Sequence, residues 1–415
     1  MSSSLNIADL TSEASRKVLG TTPDTIHGPT SDMDFWSEEV LSNPYPYYKT
    51  LRDLGPAVWL TRHNAWAITH HEGVRFALAN ADIFSSAQGV TMNEPSNKAL
   101  QDGMLASDDP AHKNLRRIFA KPLLPGAIAA LKDRLVELAE KRVDELVSRG
   151  GFDAVKDLAH FLPVTVVTEL VGLSEEGKSN MLLWAAGAFD AFGPMTHART
   201  VSGIQVMEQA FHYLVALQRD SLDPNGWGAA LFAAADRGDI TVETAKAMLM
   251  DYLVPALDTT INATSSAVWL FAQNPDQWVK LRENPHLISS MIDEVLRVES
   301  PVRAFSRVVT RDFEIGGNTL PTGSRVLVVY ASANRDERRY PDPDRFDISR
   351  DARDHVGFGH GTHICPGMHL ARLEITVLFE ILIKRINSWQ ILGEARNLNN
   401  TLRGLSRLDV EVDVD

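Results

Sequence analysis

A mainly α protein with a minor sheet fraction is predicted by three features of the sequence. Apolar residues recur at three-and-four spacing through most of the chain, strand-like runs are few and short, and no internal repeat or low-complexity linker interrupts the pattern. The length of 415 residues admits two or three domains or one large one. Pro and Gly are spread along the chain, with no composition break to mark a boundary.

Taken in order, residues 56–70 alternate and are rich in Trp, Val and Ile, which predicts strand. Residues 126–149 place charges between apolar positions and run into Gly150–Gly151, a helix with a stop. Helices are also expected over 176–192, 203–221, 241–274, 284–299 and 367–387. The 241–274 helix would be unusually long and would cross the middle of the protein. β-branched or alternating runs at 304–315, 325–330 and 407–414 predict further strands.

Acidic residues exceed basic ones, giving a net charge of −13, without a basic domain, so nucleic acid is not an expected partner. The N-terminal stretch has neither a basic start nor an apolar core, and no apolar run approaches a membrane span. A cytoplasmic protein without a membrane partner is the expectation. A single cysteine, Cys365, excludes an intramolecular disulfide.

That cysteine lies in the most informative segment, HVGFGHGTHICPG at 355–367. Gly357, Gly359 and Gly361 precede it and Gly367 follows, which suits tight turns and close approach of backbone to a ligand. A helix is expected to begin at Pro366 or Gly367, so the sulfur would feel the positive helix end, which favours thiolate. Three readings are open on these residues alone. Cys365 is a buried structural thiol, or a zinc ligand with His355, His360 and His363, or an axial ligand to haem iron.

The run Phe358 to Gly367 resembles the haem-binding loop of the cytochrome P450 family, F-G-x-G-x-H/R-x-C-x-G. Other segments fit the same resemblance. Glu294 and Arg297 look like the family's E-x-x-R pair, with Arg345 in the 336–347 stretch expected to complete its network. His112 and Arg116 match its H-x-x-x-R helix. Residues 251–264, DYLVPALDTTINAT, are similar to its oxygen-binding motif, except that Pro255-Ala256 stands where small residues ending in glycine are usual. A proline there should kink the helix.

The resemblance implies the cytochrome P450 fold, one α-rich domain with a small β portion spanning 1–415, with residues 1–15 as a flexible lead. It implies haem b with Cys365 as axial thiolate and metal ligand. The cofactor-binding residues would be His112, Arg116, Arg307, Phe358, His363 and Cys365. Asp258 and Thr259 would be the catalytic acid–alcohol pair. The activity implied is monooxygenation with O2 and electrons from a ferredoxin and an NAD(P)H-dependent ferredoxin reductase. A peroxide-driven peroxygenase and a non-catalytic haem-binding or gas-sensing protein are the alternatives; the acid–alcohol pair favours the monooxygenase.

FDAFGPM at 189–195, SPVRAFSRVV at 300–309, ASANRDERR at 331–339 and NNTLRGL at 399–405 are similar to the bacterial subgroup that O-demethylates para-substituted benzoates. On that likeness Phe189, Phe192 and Phe305 would clasp a flat ring, with Leu105 and Ala256 beside it. The stretch 91–105 carries no arginine, however, and Ala99 and Asp102 fall at the carboxylate-anchoring positions. A small neutral aromatic, or alternatively a cationic ring, is therefore expected in place of a benzoate, with Lys98 as the one substitute anchor and Asp102 or Asp251 as sources of repulsion. Lys113, Arg117 and Lys121 fall four apart and should form a basic helix stripe for an acidic ferredoxin.

Overall fold

The computed structural model describes residues 26–414, so the lead expected at 1–15 lies outside it. The strands are β1 (Thr30–Ser31), β2 (Ala57–Leu60), β3 (Ala65–Ile68), β4 (Phe84–Ser85), β5 (Gly151–Asp153), β6 (Phe305–Val309), β7 (Phe313–Ile315), β8 (Asn318–Leu320), β9 (Arg325–Val328), β10 (Ser388–Leu398) and β11 (Arg403–Asp413). They form a six-stranded sheet in the order β1-β2-β3-β9-β6-β4, a three-stranded sheet β10-β11-β5 and the β7-β8 hairpin. The helices that position the site are α1 (Glu94–Leu100), α2 (Ala111–Phe119), α3 (Lys132–Arg149), α4 (Glu175–Asp190), α5 (Ala198–Ala216), α6 (Val242–Leu253), α7 (Asp258–Gln273), α8 (Ile288–Val298) and α9 (Met368–Arg385).

The 56–70 run folds as a hairpin, β2 on β3, with Trp59 opposite Trp66 and their rings edge to face at 5.4 Å. Its alternation does not separate buried from exposed residues. Trp59, Trp66 and Ile68 enter one apolar cluster and Val58, Leu60 and Ala67 enter another, so both faces of the sheet are covered.

The 126–149 helix is divided in two, Pro125–Ala129 and α3. Within α3, Leu135, Ala139, Val143 and Leu146 are buried on one face, and Gly150 ends the helix at φ 72°. A left-handed residue of this kind favours glycine. The large apolar cluster runs from Val90 to Val412 and includes residues of α3 to α9.

The single helix expected over 241–274 is corrected to two, α6 and α7, separated by a turn at Val254–Leu257. Pro255 has no N–H to donate to the carbonyl four residues back, and its ring crowds that carbonyl. The expected kink is therefore a complete break. Downstream, α7 is buried on nearly every side although it carries Thr260, Asn262, Thr264, Ser265 and Ser266. Gly404 of β11 allows that closeness, since a side chain there would meet Asn262.

Glu294 and Arg297 of α8 are both fully buried and form a bidentate pair, Nε to Oε2 at 2.7 Å and Nη2 to Oε1 at 2.9 Å. The expected role of Arg345 is corrected. Its side chain is 65% exposed and turns to Asp347, while Arg350 reaches Glu294 at 3.3 Å. Arg345 joins the network only through its carbonyl, which accepts from Arg297.

Candidate active site

The cysteine loop is held by backbone. Gly359 and Gly361 adopt φ of 74° and 69°, and at Gly361 a side chain would collide with the carbonyl of Leu78. The turn brings the Cys365 N–H to the Phe358 carbonyl at 2.8 Å. The helix then starts at Met368, with Gly367 as its cap. The amides of Gly367 and Met368 donate to the sulfur, and Pro366 has none to give. Burial pushes the Cys365 thiol up, while these amides and Arg116 pull it down. Phe358 is half-buried against the main cluster, with the Arg372 guanidinium over its ring.

The residues expected around the haem carboxylates converge from separate elements. His112 and Arg116 lie on α2, Arg307 on β6 and His363 two residues before the cysteine. The His112 and His363 rings are 4.2 Å apart. His363 is pushed well below its usual range by burial first, then by the charges of Arg307, His112 and Arg116. Both histidines keep a buried Nε2 without a partner. Arg116 is half-buried, and its side chain forms no ion pair or hydrogen bond among the described residues. Arg307 is buried and hydrogen-bonds the Ser306 carbonyl and Tyr330.

Cations and orphaned ring nitrogens beside one thiol are the chemistry a dianionic, iron-centred cofactor requires. The residues present thus fit haem. They do not fit zinc. His355 pairs with Asp293 and His360 with Arg75, and no group of three ligating side chains among the described residues is arranged for a metal ion.

A cleft of about 750 Å3 opens beside His112 and Arg116, lined also by Lys113, Arg117, Lys121 and Thr362. The helix ends at Phe119, so Lys121 belongs to the following 3-10 turn, yet all three stripe residues line the same cleft.

On the other side, Asp258 and Thr259 begin α7 directly after the break. The Thr259 hydroxyl donates to the Pro255 carbonyl at 2.7 Å, taking up one backbone acceptor that the break releases. Asp258 Oδ2 is buried without a partner, and burial, then the charge of Asp190, pushes its carboxyl up to about 7. Phe189 and Phe192 meet edge to face at 5.7 Å, and Phe192 lies 6.2 Å from Phe305. Leu105 and Ala256 are half-buried against the same cluster.

Asp251 is not a free repulsive charge, which corrects the expectation. It accepts the Met104 N–H at 2.8 Å and that of Leu105, so it ties the 101–106 loop to α6, and burial holds its carboxyl up at about 7. Lys98 and Asp102 are both exposed. Asp190, the last residue of α4, was not singled out by sequence reasoning; its only signal is an acid placed between two phenylalanines. Glu374 of α9 was likewise missed; both its carboxylate oxygens are buried without partners, and burial pushes it up to about 8.

A lone cysteine just before a helix, with the Arg116 charge acting on it and orphaned histidine nitrogens nearby, fits a haem-thiolate protein. The sequence profile described as Cytochrome P450 matches residues 173–398. Cytochrome P450 CYP199A2 of Rhodopseudomonas palustris is 37% identical over 400 residues, 94% of this chain and 97% of its own. The cytochrome P450 monooxygenase PikC of Streptomyces venezuelae is 31% identical, over 87% of this chain and 88% of its own. The crystal structure of P450BioI with a hexadec-9Z-enoic acid-ligated acyl carrier protein superposes with a TM-score of 0.81 at 28% identity, covering 90% of this chain and 100% of that one. The chain belongs to the cytochrome P450 family. It is a monooxygenase that binds haem through a cysteine thiolate, and Cys365 is its only cysteine. No helix among the described residues is long and apolar enough to cross a membrane.

Proposed function

We propose that this monooxygenase oxidises a small neutral aromatic substrate, by hydroxylation or oxidative O-demethylation, with O2 and electrons delivered by a ferredoxin and its NAD(P)H-dependent reductase. Haem held by a thiolate supplies the oxygen-activating redox chemistry. The protein's own residues do the rest. Cys365 would ligate the iron, and His112, Arg116, Arg307 and His363 would bind the propionates, with the Phe358 carbonyl holding the Cys365 N–H. Thr259 holds a hydroxyl proton at the groove, and Asp258 supplies protons to it. Phe189, Phe192, Phe305, Leu105 and Ala256 exclude water and orient a flat ring. The described residues act as one domain, a reading that the apolar cluster from Val90 to Val412 supports.

The observation that carries the substrate reading is the 91–105 loop, in which the exposed Lys98 is the one cation. Asp190 and Asp258 are acids raised to about 6 and 7, by burial and, for Asp258, also by the charge of Asp190. A carboxylate substrate would bring a further anion to desolvated acids with no free cation on the 91–105 loop except the exposed Lys98. A para-substituted benzoate is therefore disfavoured. Haem spin-state titrations with matched methoxybenzoates, methoxyphenols and methoxybenzenes test this. Tighter binding and larger shifts with the neutral compounds are expected; tighter benzoates would overturn it.

The partner reading rests on Lys113, Arg117 and Lys121 sharing one cleft mouth on an otherwise acidic protein. Reversing all three charges should slow reduction by an acidic ferredoxin and flatten its salt dependence. Unchanged rate and salt response would place docking elsewhere.

A further inference from the structure

We propose that Asp190 and Asp258 act as a carboxylate pair that shares one proton and passes protons from solvent to the oxygen-binding groove, Asp190 being the outer member. This rests on the reading of Asp258 as the inner acid. Asp190 closes α4 and Asp258 opens α7, and the two helices pack against each other. The buried Oδ2 of Asp258 has no hydrogen-bond partner, and Asp190 is the one charged group acting on it. Neither acid has an ion-pair partner among the described residues, and no cation acts on Asp258. Two carboxyls so placed cannot both ionise easily, and one proton is retained by the pair.

Asp190 is fixed on its other sides. Its Oδ1 accepts the Asn400 N–H at 2.9 Å, and Asn400 Nδ2 binds its carbonyl at 2.6 Å. Thr200 Oγ1 lies 3.0 Å from the same Nδ2. From α5 the one charge acting on Asp190 is Arg199, which is 30% exposed and reaches Glu38 at 3.9 Å. Asp190 thus stands between a water-facing arginine and a buried acid. Burial raises Asp190 to about 6 and Asp258 to about 7, close enough for exchange in either direction.

The balance is simple. Asp258 gives its proton to the groove, Asp190 takes one from solvent, and that proton moves inward to restore the pair. No electron moves and no bond other than O–H forms or breaks.

The test uses the holoenzyme and its Asp190→Asn, Asp190→Glu and Asp258→Asn variants. Infrared difference spectra across pH report protonated carboxyls, and the component lost in Asp258→Asn is the inner acid. In Asp190→Asn that component should titrate about one pH unit lower, because a like charge has gone. Product per NAD(P)H should fall severalfold and the solvent isotope effect should rise, with Asp190→Glu restoring both. An unmoved inner titration and isotope effect in Asp190→Asn, with the band still lost in Asp258→Asn, would overturn the pair and leave the inner-acid reading standing. An unchanged band, pH profile and coupling in Asp258→Asn would remove the inner acid itself, and the pair with it.

Discussion

The two sides of the haem site differ in how their polar groups are satisfied. On the cysteine side the loop backbone and the ion pair beneath it are fixed by hydrogen bonds, and the groups left without partners are the His112 and His363 ring nitrogens, the Arg116 guanidinium and the Glu374 carboxyl of α9. Cys365 receives two amides and gives its own, and below it the Glu294–Arg297 pair is closed by the carbonyls of Asn334, Pro343 and Arg345 and by Arg350. On the oxygen side the polar groups are left open. A proline breaks the helix, Asp258 keeps an unpartnered oxygen, and Asp190 and Asp251 are raised acids with no ion-pair partner of their own among the described residues. The lesson is that one wall is built to hold a ligand and the other to hold and exchange protons. Over-determined hydrogen bonding fixes geometry; unpaired buried acids keep their protons near neutral pH.

The largest effect should come from the closed side. Arg297→Ala leaves Glu294 buried without its bidentate partner, a loss of about 3–5 kcal/mol. The variant should lose haem and cooperative unfolding together in a thermal melt followed by the Soret band. Retention of both would show that the network is not what supports the loop.

On the open side, Thr259→Ala should leave folding and electron uptake intact while diverting oxygen to peroxide. Product per NAD(P)H should fall roughly tenfold, below the 10²–10⁴ scale of a fully lost proton donor. Measuring product and peroxide together checks this, and unchanged coupling would take Thr259 out of the mechanism.

The raised acids also set a pH dependence of stability. Asp251 has a folded value of about 7 against the ordinary 3.8, so the folded state binds the extra proton between roughly pH 4 and 7. Its contribution is full below that window and is lost as pH rises through it. Asp251→Asn keeps one acceptor for the Met104 N–H and should flatten the pH dependence of urea midpoints between about pH 4 and 7. A variant as pH-dependent as the parent would contradict the assignment.

The smallest effect separates two arginines. Arg345→Ala should change stability by no more than about 0.5 kcal/mol, while Arg350→Ala costs more because it contacts buried Glu294. Equal losses would restore Arg345 to the network.

The same contrast decides what was legible in the sequence. The cysteine loop, the Glu294–Arg297 spacing and the His112–Arg116 pair were readable because they are local patterns in which glycine dihedrals, helix spacing and one thiol carry the meaning. The break at Pro255 was readable as a kink but not as two helices, since a proline's cost is local while the path of the chain beyond it is set by packing. Arg350 replaced Arg345 because nothing in a charged loop tells which side chain turns inward. Asp190 and the Asp251 tie were not readable as roles, for each depends on a contact across more than 60 residues of sequence. The β10–β11 ribbon was half seen: β11 alternates, whereas β10 mixes charge and glycine and gains its strand state from pairing.

The most direct measurement is the visible spectrum of the reduced holoenzyme under carbon monoxide, for the parent and for Cys365→His. The parent should show the long-wavelength Soret band of thiolate ligation, and Cys365→His should lose it while still holding haem between α7 and α9. A parent without that band, or a histidine variant that keeps it, would contradict Cys365 as the iron ligand.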